Sequence, residues 1–174
     1  MGTFLFDEII FGPVKSRRLG VSLGINLLPT KRKICNFNCI YCECGWTRQF
    51  ENAPGHLPKR EEVFNALDRK LSEMKASDLK PDVITYAGNG EPTLHPDFPG
   101  IIDDSIILRN KYFPDARIAV LSNSTTISDQ RVKAALLKVD MNILKFDSAF
   151  DSTISIHNQP ASGINVKDLI NTLA

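Results

Sequence analysis

Residues 35–42 read Cys-Asn-Phe-Asn-Cys-Ile-Tyr-Cys, which sets Cys35, Cys39 and Cys42 in a C-x3-C-x2-C spacing. Three thiolates so placed can grip three corners of a cubic iron–sulfur cluster, whereas a closed structural site asks for four ligands. One metal position is then left for something that is not protein, the general mark of a metal site that does chemistry. Two other readings stay open. A structural zinc site would draw in all four cysteines, Cys44 included. Zinc modules, however, usually set two pairs roughly 12–20 residues apart, and here there is one knot, with His56 alone at an odd spacing. The thiols could also be unliganded. A disulfide framework is disfavoured because the thiols crowd into ten residues and no secretory leader precedes them. Cys44, two positions past Cys42, is hard to aim at the same group and reads as a small apolar residue or a spare thiol.

The rest of the composition fits a soluble enzyme without naming one. The 174 residues are 43% hydrophobic and carry a formal net charge of +1. One domain, residues 1–174, with a sizeable core is expected. The charge balance argues against a broad nucleic-acid-binding or acid-seeking surface. No apolar run approaches the roughly 18 residues that span a bilayer. The start, MGTFLFDEII, has acids inside its apolar stretch and no basic flank, unlike a signal peptide. Phe6 stands where a myristoylation signal wants Ser or Thr. A cytoplasmic protein without a membrane segment is the expectation.

Outward from the cysteines the chain alternates strand and helix. Gly20–Leu28 runs as a strand toward the knot. Residues 59–75 place Val63, Phe64, Leu67, Leu71 and Met74 at helical spacing. Val83–Tyr86 reads as a short buried strand, Ile101–Lys111 as a helix after a loop holding Pro96 and Pro99, and Arg117–Leu121 as a strand. Asp129–Lys138 reads as a helix, Met141–Phe146 as a strand and Val166–Ala174 as a closing helical piece. This beat predicts βαβ units and a parallel sheet.

Polar stretches follow each of the four strands: the knot, GNGEPT (88–93), SNST (122–125) and DSAF (147–150). In a parallel sheet or barrel all four emerge at one end, where side chains from separate strands converge. Each alone is an ordinary turn former. As a set around a metal knot they read as one site.

These residues resemble the radical S-adenosylmethionine (radical SAM) superfamily. The cysteine run matches its cluster motif, including Tyr41 before the last cysteine, and Gly90, Glu91 and Pro92 match the motif that ends its second strand. The series FGPVKSRRLGVSLGIN from Phe11, GNGEPTL from Gly88, SNS from Ser122, KFD ending at Asp147 and NQP ending at Pro160 is similar to one subgroup. That subgroup holds iron–sulfur oxidoreductases related to the wybutosine-forming tRNA enzymes.

The resemblance implies an α/β partial (βα) barrel with parallel strands and a 4Fe-4S cluster at its mouth, on Cys35, Cys39 and Cys42. S-adenosyl-L-methionine would chelate the open iron, and its reductive cleavage would give a 5′-deoxyadenosyl radical that abstracts hydrogen from a small-molecule or tRNA substrate. An electron donor such as flavodoxin or ferredoxin is implied. Tyr41, Gly88, Gly90, Glu91, Pro92, Asn123, Lys145 and Asp147 are the implied cofactor contacts.

The residues have a physical logic of their own. Glu91 could accept hydrogen bonds from a bound ammonium group, worth about 1.5–3 kcal/mol. Gly88 and Gly90 permit close backbone approach and Pro92 fixes the following turn. Asp147 could instead cap a helix, and Asn123 could be a turn residue. Two departures stand out: Ser124 replaces a glycine common in relatives, and the barrel reads as truncated after about four βα units, either as a shortened or fragmentary form or with a partner chain to complete it. Basic residues Lys15, Arg17 and Arg18, with Lys31, Arg32 and Lys33, flank the first strand and read either as a solvated surface or as a tRNA phosphate site. Trp46 reads as packing, and His95 and His157 as loop residues without ligand partners.

Overall fold

The computed structural model describes residues 3–47 and 55–173. Five strands form one sheet in the order β1-β2-β3-β4-β5. They are β1 (Ile10–Ser16), β2 (Gly20–Ile25), β3 (Val83–Tyr86), β4 (Arg117–Ser122) and β5 (Met141–Leu144). β2 to β5 are parallel, and β1 joins antiparallel as a hairpin on β2. The crossovers carry α1 (Arg60–Ala76), α2 (Phe98–Tyr112) and α3 (Gln130–Leu136); α4 (Asp151–His157) and α5 (Val166–Leu173) follow β5. This is the α/β, mostly parallel architecture expected of a partial (βα) barrel.

Strand alternation divides the sheet into two faces. Leu23, Ile25, Ile84, Tyr86, Ile118 and Val120 turn to the helices, where they meet Val63, Leu67, Leu71 and Met74 of α1 and Phe98, Ile101, Ile102 and Leu108 of α2. Tyr86 is fully buried, and its hydroxyl is satisfied by Ser105 at 2.6 Å, as a buried phenol requires. The opposite face is built from smaller groups. Ser22 and Thr85 hydrogen-bond across it at 2.8 Å. Gly24 lies under the Phe11 ring, which a Cβ would meet at 2.1 Å, and Phe6 stacks on Phe11 at 3.6 Å. Toward β5 the cover ends: Leu121 and Ile143 pair in register and are both partly exposed.

The elements differ from expectation at their ends. Pro99 lies inside the first turn of α2 rather than in the loop before it; the first helical turn has no use for the N–H that proline lacks. α3 stops at Leu136 and β5 at Leu144, two residues short in each case. β1 and α4 were not expected. Ala174 lies outside the described residues. Among the described residues no helix is long and apolar enough to cross a membrane.

Candidate functional site

Because β2 to β5 are parallel, their four polar C-terminal stretches do come together, and hydrogen bonds join them in turn. Asn26, just past β2, accepts from the Asn89 N–H at 3.1 Å. Asn89 in turn donates to the Phe6 and Pro29 carbonyls and accepts from the Phe6 N–H. It is fully buried with both ends of its amide satisfied. Gly88 and Gly90 are needed where the chain passes itself. Gly90 has φ +138, and a Cβ there would sit 1.8 Å from the Ile34 carbonyl oxygen. That contact is the crossing between the β3 loop and the lead-in to Cys35, sealed by Ile34 N to Asn89 O (3.0 Å) and Glu91 N to Ile34 O (3.0 Å).

Glu91 is buried at 3% exposure. One carboxylate oxygen accepts from the Thr93 hydroxyl (2.6 Å) and N–H (3.2 Å), the other from the Asn123 N–H (2.7 Å). It caps the 3-10 turn Pro92–Leu94 and ties the end of β3 to the end of β4. Burial pushes its pKa up, and the bonds from Thr93 and Asn123 offset part of that.

Asn123 is a linking residue rather than a bare turn former. Its side-chain N–H2 donates to Asn36 Oδ1 (2.7 Å) and lies 3.7 Å from Cys35 Sγ, while its Oδ1 accepts from Thr125. Ser124 keeps the backbone that a glycine would supply there, with φ +70.

β5 delivers Lys145 and Asp147. Lys145 Nζ lies 3.4 Å from Cys39 Sγ and 2.9 Å from Asp147 Oδ2, with its charge over the Phe37 and Tyr41 rings. Asp147 accepts from the Tyr41 hydroxyl and from Asn158 Nδ2 at 2.5 Å. It is not a helix cap, since α4 is preceded by Phe150. Burial works against the Lys145 charge, but bonds to Tyr41 and Asp147 outweigh it and raise its pKa. Burial likewise opposes the Asp147 charge, and bonds from Tyr41, Asn158 and Lys145 hold its pKa below the ordinary value. The Tyr41 phenol is pushed up to about 12 by burial and then by Asp147.

The thiols sit in three different surroundings. Burial pushes Cys35 up to about 11. Cys39 faces Lys145 and Asn158, each 3.4 Å from its sulfur. The Cys44 thiol and the Lys33 charge beside Cys42 lower its pKa to about 5, while the contact with Cys42 and burial push that of Cys44 up. Cys44 is buried against the Gly88 carbonyl. Among the described residues no three His, Cys, Asp or Glu gather around a point that would hold a single ion. Thiols spread along one loop suit a group with several metal corners, each taking its own thiolate, and N–H donors already reach all three sulfurs. The donor set fits an iron–sulfur cube.

Two residues of the site escaped the sequence. Asn158, fully buried, reaches Cys39, Tyr41 and Asp147; its signal was the N of NQP. Lys33 was read with a basic surface cluster, yet it is 2% exposed, with Nζ on the Gly45 carbonyl at 2.8 Å. The remaining basic residues divide. Lys15, Arg17 and Arg18 lie on the β1–β2 hairpin, at the end of β2 away from the cysteines, and so do not form one surface with residues 31–33. His95 is buried on the Pro58 carbonyl, His56 pairs with Glu62 at the surface, His157 is exposed and Trp46 is half-buried.

Residues 32–172 match the Radical SAM superfamily. The chain is 32% identical over 164 residues to a protein named GTPase Obg from Brachyspira hyodysenteriae, covering 94% of this chain and 22% of that protein. It is 37% identical over 138 residues to a UPF0026 protein of Helicobacter pylori (79% and 41%). To a UPF0026 protein of Methanocaldococcus jannaschii it is 34% identical over 154 residues (87% and 44%). The chain thus spans from about a fifth to less than half of the length of these relatives. Among solved structures, BtrN in complex with AdoMet and 2-DOIA aligns with a TM-score of 0.39 at 19% identity, over 64% of this chain and 41% of that one.

Proposed function

The chain belongs to the radical SAM superfamily, and on that premise we propose that Cys35, Cys39 and Cys42 hold a 4Fe-4S cluster whose open corner takes S-adenosyl-L-methionine. The observation that carries this reading is the joining of the β3, β4 and β5 ends to the cysteine loop, with N–H donors at the Cys35 and Cys39 sulfurs. When bound there, the reduced cluster would supply the one electron that breaks the S–C5′ bond of the sulfonium, leaving methionine and a 5′-deoxyadenosyl radical able to take hydrogen from a substrate.

The chain's own residues do the holding. Gly90 lets the loop before Cys35 lie flat on the β3 loop, and Glu91 locks Asn123 beside Cys35. Gly88 and Pro92 shape that wall. The Glu91 carboxylate is taken up by internal donors, so we assign it to holding the wall that a ligand ammonium would meet. Lys145 and Asp147 satisfy each other and Tyr41, whose half-exposed ring is the surface we assign to adenine.

We read residues 1–174 as one radical SAM core domain working as an oxidoreductase, reduced by a flavodoxin or ferredoxin, in the cytoplasm. The exposed β5 edge is where further strands of a barrel would add. The kinship with wybutosine-forming enzymes rests on the strand-end series alone. With the basic clusters at opposite ends of β2, a tRNA at the cluster would meet Lys31 and Arg32 and not the hairpin.

The test is anaerobic reconstitution with iron and sulfide, followed by iron counting and assay of S-adenosyl-L-methionine cleavage to 5′-deoxyadenosine, with and without a tRNA pool. Iron near four per chain and 5′-deoxyadenosine formation are expected. A colourless protein carrying one zinc per chain would overturn the reading.

A further inference from the structure

Asn158 follows α4 directly, and its side chain is 0% exposed. Its Nδ2 lies 2.5 Å from Asp147 Oδ2, 3.3 Å from the Tyr41 hydroxyl oxygen and 3.4 Å from Cys39 Sγ. Its Oδ1 is buried and has no partner among the described residues. Asn89 shows what an amide with a purely structural task does in this fold: both of its ends are satisfied. Asn158 spends two hydrogens on three neighbours and leaves its carbonyl empty. The orientation is forced, because a carboxylate and a metal-bound thiolate only accept hydrogen bonds. Turning the amide over would set its oxygen against both.

The backbone fixes the position as firmly. Residues 157–161 run antiparallel to 36–40, through Asn38 N to Asn158 O (2.8 Å), Ile40 N to His157 O (2.9 Å) and Ala161 N to Asn36 O (2.8 Å). Asn158 therefore cannot drift from Cys39 without opening that pairing.

We propose that Asn158 is a positioning residue for Cys39, donating its amide N–H to the cysteine sulfur and thereby raising the electron affinity of the cluster that this sulfur holds. The role rests on the cluster reading above. A donor to a ligating sulfur stabilises the extra negative charge of the reduced state, so it makes reduction easier. Cys39 receives two side-chain donors at 3.4 Å, from Asn158 and Lys145, while Cys35 receives the Phe37 N–H at 3.4 Å and one side-chain donor, from Asn123, at 3.7 Å.

The experiment uses the reconstituted full chain without S-adenosyl-L-methionine: iron per chain, then the midpoint potential by redox titration followed by electron paramagnetic resonance. Asn158→Leu, close in size and without the donor, is expected to keep wild-type iron and shift the midpoint to a more negative value. Thr172→Ala, on α5, is expected to leave it in place. An unmoved midpoint in Asn158→Leu with full iron overturns the inference and leaves the cluster reading standing. If Asn158→Leu loses iron, Asn158→Ser carries the same measurement. Iron loss in both variants with intact circular dichroism would make the residue a requirement for holding the cluster rather than a tuner of its potential, which also overturns the inference. A wild type that takes up no iron sinks the cluster reading, and this inference with it.

Discussion

Cys35 and Cys39 stand four residues apart on one loop, yet their surroundings have little in common. The Cys35 side is buried and held by neutral amides, hydroxyls and one internal carboxylate: Asn36, Asn123, Thr125 and Glu91. The Cys39 side is charged and half-open, with Lys145, Asp147 and Tyr41 around the sulfur. Low dielectric makes hydrogen bonds on the first side costly to lose. On the second side solvent screens the charges, so the same losses cost less stability and change mainly the electrostatics at the sulfur. The contrast teaches that one wall of the site carries the fold, while the other, on the proposed reading, would set the charge around the Cys39 sulfur.

The largest test of that division is Gly90→Ala. A Cβ 1.8 Å from the Ile34 carbonyl at φ +138 cannot be absorbed by a side-chain movement. We expect destabilisation above about 3 kcal/mol in urea unfolding; a loss under 1 kcal/mol would break the comparison on the Cys35 side.

Next is Cys39→Ala, expected to abolish iron retention, set against Cys44→Ala, expected to retain iron. Equal loss in both would show the ligand set to be misassigned.

Glu91→Gln should cost about 1–2 kcal/mol through the disturbed bonds to Thr93 and Asn123. Its pH dependence sharpens the point. Burial raises Glu91 above its ordinary 4.5, so the folded chain holds that proton more tightly than the unfolded chain. The stability of the wild type relative to Glu91→Gln is then greatest in acid, and it falls as pH rises from 4.5 through the raised value. A gap that widens with rising pH would contradict the buried setting.

Smallest on stability is Lys145→Met, expected to cost about 1 kcal/mol or less, since Asp147 keeps Tyr41 and Asn158. A loss as large as that of Gly90→Ala would erase the difference between the two walls.

Much of this molecule could be read before folding it, and the exceptions have physical causes. Val83–Tyr86 matched β3 residue for residue because a short apolar run after Pro81, ending in a glycine-rich loop, has few other homes in a βα chain. β1 was missed because Gly12 and Pro13 interrupt it. Proline in a run signals a strand edge or no strand, and here the ladder does shift register between Phe11 and Val14. α4 was missed because Asp151–His157 is short and rich in Ser, Thr and β-branched residues, with only Ile154 buried. The cysteines, Gly90 and Glu91 were legible as motif residues, but the inward turn of Glu91 was not. Thr93 is close in sequence, but the partner that ties Glu91 across the site, Asn123, follows another strand. Asn158 was harder still, since its neighbours sit 11, 117 and 119 positions away, and no local pattern encodes such meetings.

The antiparallel pairing of 157–161 with 36–40 bears on how the chain is made. A ribosome releases the three cysteines long before Asn158 emerges, 119 positions later. Until then residues 36–40 lack that backbone partner, and the thiols ride on an unclosed loop. Metal offered during translation meets an open trithiol, and metal offered after release meets a finished socket. On the proposed cluster reading, the Cys39 corner would meet its complete set of partners only once Asn158 has joined that loop.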